Sequence, residues 1–283
     1  MVERGGGPMI MGILNVTPDS FSDGGRYVDL DAAVARAAQM VAEGAAFIDV
    51  GGESTRPGAA PVTIDAELQR VVPVVEAIVA EVALGAARVS VDTRRAEVAR
   101  AAVAAGATLI NDVSASLGPV AAELGVGWMA MHMQGQPGTM QAHPTYADVV
   151  AEVRDFLMDR ATVAAEAGVA EIWIDPGFGF GKSIEHNLAL VAHIDRFIET
   201  GYGVALGVSR KHTLGVLTAR SDAARVGGAS GAEIRGNAVA PPQDRLEMSV
   251  AVATWAMMAG VQVIRAHDVG VHVEAAAVVA GQR

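Results

Sequence analysis

Short apolar runs recur along the chain and alternate with longer segments of helical periodicity. The runs are Met9–Leu14, Phe47–Val50, Arg88–Val91, Thr108–Ile110, Gly127–Met131, Ile172–Ile174, Gly203–Val208 and Val261–Ile264. Most lack polar alternation, as strands buried on both faces do. Between them Asp31–Glu43, Ile64–Val82, Arg95–Ala105, Tyr146–Ala167, Glu185–Thr200 and Arg245–Ala259 read as helices. A recurring glycine stop (Glu43-Gly44-Ala45, Ala105-Gly106-Ala107, Ala167-Gly168-Val169, Ala259-Gly260-Val261) predicts helix C-caps that feed the next strand.

Strands alternating with helices predict an α/β fold, and eight of them predict a (β/α)8 TIM barrel. A doubly wound open sheet is the alternative. Polar residues cluster just after the runs: Asn15, Asp49, Asp92, Asn111 with Asp112, His132, Asp175, Ser209 to Lys211, and Arg265 with His267. A barrel gathers all of them at the C-terminal mouth of its strands, whereas an open sheet spreads them along an edge. The chain of 283 residues reads as a single domain spanning 1–283, with no linker. Arg220–Gln243, rich in small residues and closed by Pro241-Pro242, reads as a long flexible loop inside it.

Two loops are longer and more polar than a simple connection needs. Asn15–Gly25 (NVTPDSFSDGG) follows the first run, and Gly51–Gly58 (GGESTRPG) follows the second. Loops of this kind bind or catalyse. Composition narrows the chemistry further. The chain has no cysteine, which excludes disulfides, thiolate metal sites and a cysteine nucleophile. A net charge of -11 argues against nucleic acid as a partner. Charges interrupt every long apolar stretch and no targeting signal stands out, so the expectation is a cytoplasmic protein without a membrane partner.

Asp92, Asn111 and Asp175 sit at or just past strand ends. Together they offer acceptors for N–H groups and an amide that donates and accepts, a set suited to a flat nitrogen heterocycle. Asp92, ahead of Thr93-Arg94-Arg95, reads equally as a helix cap. Ser209-Arg210-Lys211 combines an ammonium donor, a planar guanidinium able to stack and a helix N-terminus open to an anion; the alternative is two solvated charges. Arg265 and His267 supply charge-assisted donors for a phosphate after the last strand; alternatively His267 is a structural histidine oriented by Asp268. Asn15 fits a single oxygen ligand of Mg2+. His186 and His193 read as surface residues, and Phe178 and Phe180 as a ring-pocket wall or core. In an acidic protein, a diphosphate needs Arg56, Arg210, Lys211, Arg265 and His267 to reverse the sign locally.

These segments resemble the dihydropteroate synthase family over nearly the whole chain. The likeness runs through Gly12–Gly25, Asp49–Ala59, Ser90–Thr93, Ile110–Ser114, Met131–Gln141, Ile174–Lys182, Gly207–Lys211 and Arg265–Val269. It implies a transferase that condenses 6-hydroxymethyl-7,8-dihydropterin diphosphate with 4-aminobenzoate. It assigns Asp92, Asn111, Asp175 and Lys211 to the pterin, with Arg210 stacking nearby. Asn15, Arg265 and His267 go to diphosphate and Mg2+. Phe21, Thr55, Pro57, Phe180, Ser209 and His212 go to the aminobenzoate. Asp23 and Arg56, on the two long loops, join Asp92 and Lys211 as catalytic residues. The resemblance also implies a homodimer. His212, Met248 and Ala266 depart from the family's usual residues, and Arg220–Gln243 is longer than its usual connection. A pterin-binding paralogue with an altered second substrate or no synthase activity, and a methyltetrahydrofolate-type methyltransferase, are the competing readings.

Overall fold

The computed structural model describes residues 7–17, 30–54, 61–136, 138–227 and 238–281. Eight parallel strands close in chain order into a barrel. They are β1 (Met9–Asn15), β2 (Phe47–Gly51), β3 (Arg88–Asp92), β4 (Leu109–Asp112), β5 (Gly127–Met131), β6 (Ile172–Asp175), β7 (Gly203–Leu206) and β8 (Val263–Ala266). The helices are α1 (Leu30–Ala42), α2 (Ile64–Glu81), α3 (Ala96–Ala104), α4 (Gly118–Leu124), α5 (Val149–Glu166), α6 (Ile184–Ala192), α7 (Asp195–Ile198), α8 (His212–Gly227), α9 (Leu246–Ala259) and α10 (Val269–Gly281). The predicted glycine stops hold, with Gly44, Gly106, Gly168 and Gly260 all at positive φ. Closure decides between the two fold classes: β1 pairs with β8, so no sheet edge remains.

Met11, Phe47, Leu109, Met129, Trp173, Ala205 and Val263 form a buried plug inside the barrel. Strand side chains alternate faces, so the residue two further along points the same way. That step leads from Phe47 to Asp49, Leu109 to Asn111, Met129 to Met131, Trp173 to Asp175, Ala205 to Gly207 and Val263 to Arg265. At Asp49, Asn111, Asp175 and Arg265 the inward layer therefore changes from apolar to polar in one pleat, and with Met131 and Gly207 this layer faces the mouth. Outward residues pack against the helices in the larger core.

Several predicted boundaries change. The proposed loop 220–243 begins inside a helix, because α8 runs on to Gly227. Its Ala-rich SDAARV stretch favours helix but is mostly exposed, so it shows no apolar period. The predicted helix Glu185–Thr200 divides into α6 and α7 around His193, which has non-helical φ/ψ. Helix α5 starts later than Tyr146, at Val149, because Asp148 caps it by accepting from the Val150 and Ala151 amides, each at 3.0 Å. α4 and α10 were not predicted. α4 is one short turn pair, and α10 is apolar around most of its circumference, so neither shows an amphipathic stripe.

Candidate active site

The polar layer lines a small, partly open cavity at the barrel mouth, bounded chiefly by Asp92, Asn111, Asp175, Lys211, Arg265 and Phe180. The four residues assigned to one ring site thus come together from β3, β4, β6 and the turn after β7. Adjacent polar residues separate by the same pleat. Asn111 faces the cavity, whereas Asp112 points outward and accepts from the Ser116 and Leu117 amides at 2.7 and 2.6 Å, fixing the start of α4.

Asp92 does not cap α3, whose N-cap Arg95 has no side-chain cap bond. Its Oδ2 instead accepts from Arg265 Nη2 at 2.5 Å. Arg265 Nε donates to Asp49 Oδ2 at 2.5 Å, and Asn111 Nδ2 donates to the same oxygen at 2.9 Å. Asp49 is fully buried and its Oδ1 has no partner among the described residues. It joins the site although the sequence reading gave it no role; a carboxylate two residues beyond Phe47 in an apolar run is the signal that marks it. Burial pushes the Asp92 carboxyl up to about 7 against the pull of Arg265, with Asp49 and Glu67 adding to the rise. Burial tends to deprotonate Arg265, but Asp49 and Asp92 overcome it and hold the guanidinium firmly charged.

Lys211 Nζ lies 3.8 Å from the centroid of the Phe180 ring, a cation–π contact. Burial, with Arg265 next, brings its ammonium down to about 7, while Asp175 and Asp92 resist. Asp175 is raised by burial and stabilised as carboxylate by the Gly177 amide, which donates to Oδ1 at 2.7 Å. A side chain at Gly177 or Gly181 would collide with the His132 or Gln134 carbonyl, and both glycines have positive φ, so the loop carrying Phe178 and Phe180 lies flush on the end of β5. Lys182 anchors that loop, reaching His132 Nδ1 and the Phe180 carbonyl, each at 3.0 Å. Phe178 is buried in the core and also borders the cavity, and Phe180 walls the cavity beside Lys211.

Other expectations need correction. Arg210 does not line the cavity; its guanidinium forks onto Asp268 at 3.0 and 2.5 Å. Asp268 therefore does not orient His267, whose Nδ1 lies 3.0 Å from Ser209 Oγ. Burial, then Arg265 and Arg210, lowers His267 to about 3, so at neutral pH it is not a charged donor. The supposed cationic cluster is thus largely neutralised: Arg265 and Arg210 are bound by carboxylates, and Lys211 and His267 are shifted towards their neutral forms. His212 is exposed at the start of α8. Asn15 is half-buried at the end of β1, beside Gly51. His186 is half-buried and completes a capping box with Ser183, rather than being a free surface residue. Phe21, Asp23, Thr55, Arg56 and Pro57 lie outside the described residues.

The family profile of pterin binding enzymes matches residues 11–267. The chain belongs to the pterin binding enzymes. Within this family it is similar to the dihydropteroate synthase of Escherichia coli (strain K12), 45% identical over 278 residues that cover 96% of this chain and 90% of the relative. The solved dihydropteroate synthase of Yersinia pestis with a sulfonamide drug complex superposes with a TM-score of 0.84 at 42% identity, covering 98% of this chain and 94% of that one. That of Xanthomonas albilineans in complex with 7,8-dihydropteroate superposes with a TM-score of 0.78 at 42% identity, covering 96% and 92%. For a pterin binding enzyme, a narrow cavity with two carboxylates, an amide and an amine on its rim has the donor and acceptor pattern that a pterin ring needs.

Proposed function

We propose that the chain is a dihydropteroate synthase, condensing 6-hydroxymethyl-7,8-dihydropterin diphosphate with 4-aminobenzoate to give 7,8-dihydropteroate and diphosphate. Asp92, Asn111, Asp175 and Lys211 around one cavity carry this reading, together with relatives that bear that name. Asp175 and Asn111 offer acceptors to the pterin N–H groups, and Lys211 offers a donor to its carbonyl. The bond from the pterin methylene to diphosphate oxygen breaks, and its electron pair leaves with the diphosphate. The arylamine nitrogen bonds to the methylene and then loses a proton to solvent. Positive charge developing on the methylene is stabilised by the Asp92 and Asp49 carboxylates, fixed before the reaction begins. Phe180 is the apolar wall next to the arriving arene. A sulfonamide is expected to compete with 4-aminobenzoate in this enzyme.

Mg2+ belongs to the same proposal. Among the described residues no group of three or more carboxylates or histidines gathers as a metal cage. The donor set suits an ion that takes one protein oxygen and completes its shell with water and phosphate. Asn15 is the residue to hold it, and the ion, when bound, neutralises charge on the departing diphosphate.

Diphosphate release dependent on 4-aminobenzoate tests the reaction; release at the same rate without the amine refutes it. The pH dependence of kcat/KM for the pterin diphosphate is expected to be bell-shaped around neutrality. Below about 7 Asp92 takes up a proton and stops accepting, and above about 7 Lys211 loses the proton that lets it donate. Lys211→Met should remove the alkaline limb, and its persistence in that variant would assign it to another group.

The proposal extends to a homodimer. Trp255 and Met258 on α9 and Val271 and Val278 on α10 are all exposed, on two helices that pack side by side. Exposed large apolar side chains on neighbouring helices are a feature of subunit interfaces. Trp255→Glu is expected to yield a monomer in sedimentation experiments, and a dimer of unchanged strength would exclude this face.

A further inference from the structure

Lys211 reaches the cavity because the residue before it turns the chain sharply. Arg210 has φ +58, a left-handed conformation that a side chain normally resists. Such a residue persists where its surroundings over-determine it. Both of its backbone groups are held by the segment that opens α9. Its N–H donates to Ser249 Oγ at 3.1 Å, and its carbonyl accepts from Arg245 Nη1 at 2.8 Å. Ser249 is fully buried, and its hydroxyl donates to the Arg245 carbonyl at 2.6 Å. Arg245 Nε donates to the Ala240 carbonyl at 2.7 Å. Gly215 on α8 makes room for this guanidinium, since a Cβ there would collide with Arg245 Nε and the Ala240 carbonyl. Arg245 is nearly buried yet has no carboxylate partner among these contacts; its fork is spent on two carbonyls.

We propose that Arg245 and Ser249 are positioning residues that lock the left-handed turn at Arg210 and so aim the Lys211 amine into the cavity. They touch neither the cavity nor the reacting atoms. The proposal rests on the functional reading only in naming the pterin as the ligand that Lys211 meets. The aimed amine faces Asp92, Asp175 and Arg265, and burial together with these charges sets its protonation.

The test is a pair of double-mutant cycles. Arg245→Met and Ser249→Ala are each made in the native background and in Arg210→Gly, because glycine adopts positive φ without being held. Two quantities are read. One is the pH at which Lys211 becomes half-reactive towards acetic anhydride, followed by mass spectrometry, which needs no ligand. The other is the affinity for the pterin diphosphate by calorimetry. In the native background, Arg245→Met should move the Lys211 midpoint upward from about 7 towards an ordinary lysine. It should also weaken pterin binding about 30-fold, the loss that accompanies an unpaired buried group. In the Arg210→Gly background the midpoint should hardly move on adding Arg245→Met, and affinity should fall by no more than about threefold. Arg245→Lys should recover part of the loss, since an ammonium reaches one of the two carbonyls. Ser249→Ala, the milder change, carries the same cycle if Arg245→Met does not fold. Equal effects in both backgrounds, or an unmoved Lys211 midpoint, overturn the proposal. A native protein that binds no pterin while the labelling cycle behaves as expected overturns the functional reading alone.

Discussion

Asp175→Ala is expected to weaken binding of the pterin diphosphate by about 2–5 kcal/mol, about 30-fold or more, with 4-aminobenzoate absent. Asp175 is buried at the end of β6, and one of its oxygens is engaged by the Gly177 amide. Truncation has two consequences. The ligand's ring N–H groups lose their charged acceptor in a site where little water replaces it. The loop carrying Phe180 loses one of its anchors and keeps the one through Lys182. Asp175→Asn separates the two, because the amide oxygen can still accept from Gly177 while the charge is gone. It should retain the fold and lose most of the affinity. Calorimetric affinity unchanged in Asp175→Ala would remove this residue from the site.

Arg265→Met has the larger consequence for the fold. It strips the cation from between Asp49, which is fully buried, and Asp92. Removing one partner of a buried ion pair costs about 3–5 kcal/mol, because the other is left uncompensated. The sign with pH follows. Without the guanidinium the buried Asp92 carboxyl, already raised by burial, holds its proton still more tightly in the folded state than in the unfolded chain. The folded state then binds more protons, so stability falls as pH rises. The variant should therefore unfold at markedly lower urea near about pH 8 than near about pH 6, a gap wider than in the native protein. Adding Asp49→Asn should recover part of the loss at the higher pH. Urea midpoints for Arg265→Met that match the native protein at both pH values would show that the arginine does not compensate these carboxylates.

Much of this architecture is local and therefore legible in sequence. Strand runs such as Phe47–Val50 are apolar because both faces are covered, and the glycines that stop the helices must adopt positive φ wherever the chain packs. Asp92, Asn111 and Asp175 stand out because a polar group directly after an apolar run needs a partner, and a barrel mouth supplies one. The missed helices α4 and α10 lack an amphipathic stripe, one being too short and the other apolar nearly all round, so periodicity has nothing to detect.

What the sequence by itself determined, then, is the order of strands and helices, their stops, and the residue types presented at each strand end. Hydrogen bonding and side-chain burial act over a few residues and leave a periodic trace. Only the tertiary structure decided which charges meet. Arg265 finds Asp49 across 216 positions of chain and Arg210 finds Asp268 across 58. Barrel closure brings β8 beside β1 and sets the register that aligns them. The same closure removes the water that would have let Lys211, His267 and Asp92 titrate as isolated groups. A charge read along a chain has a type and a position. Its partner, its burial and hence its protonation come from the fold.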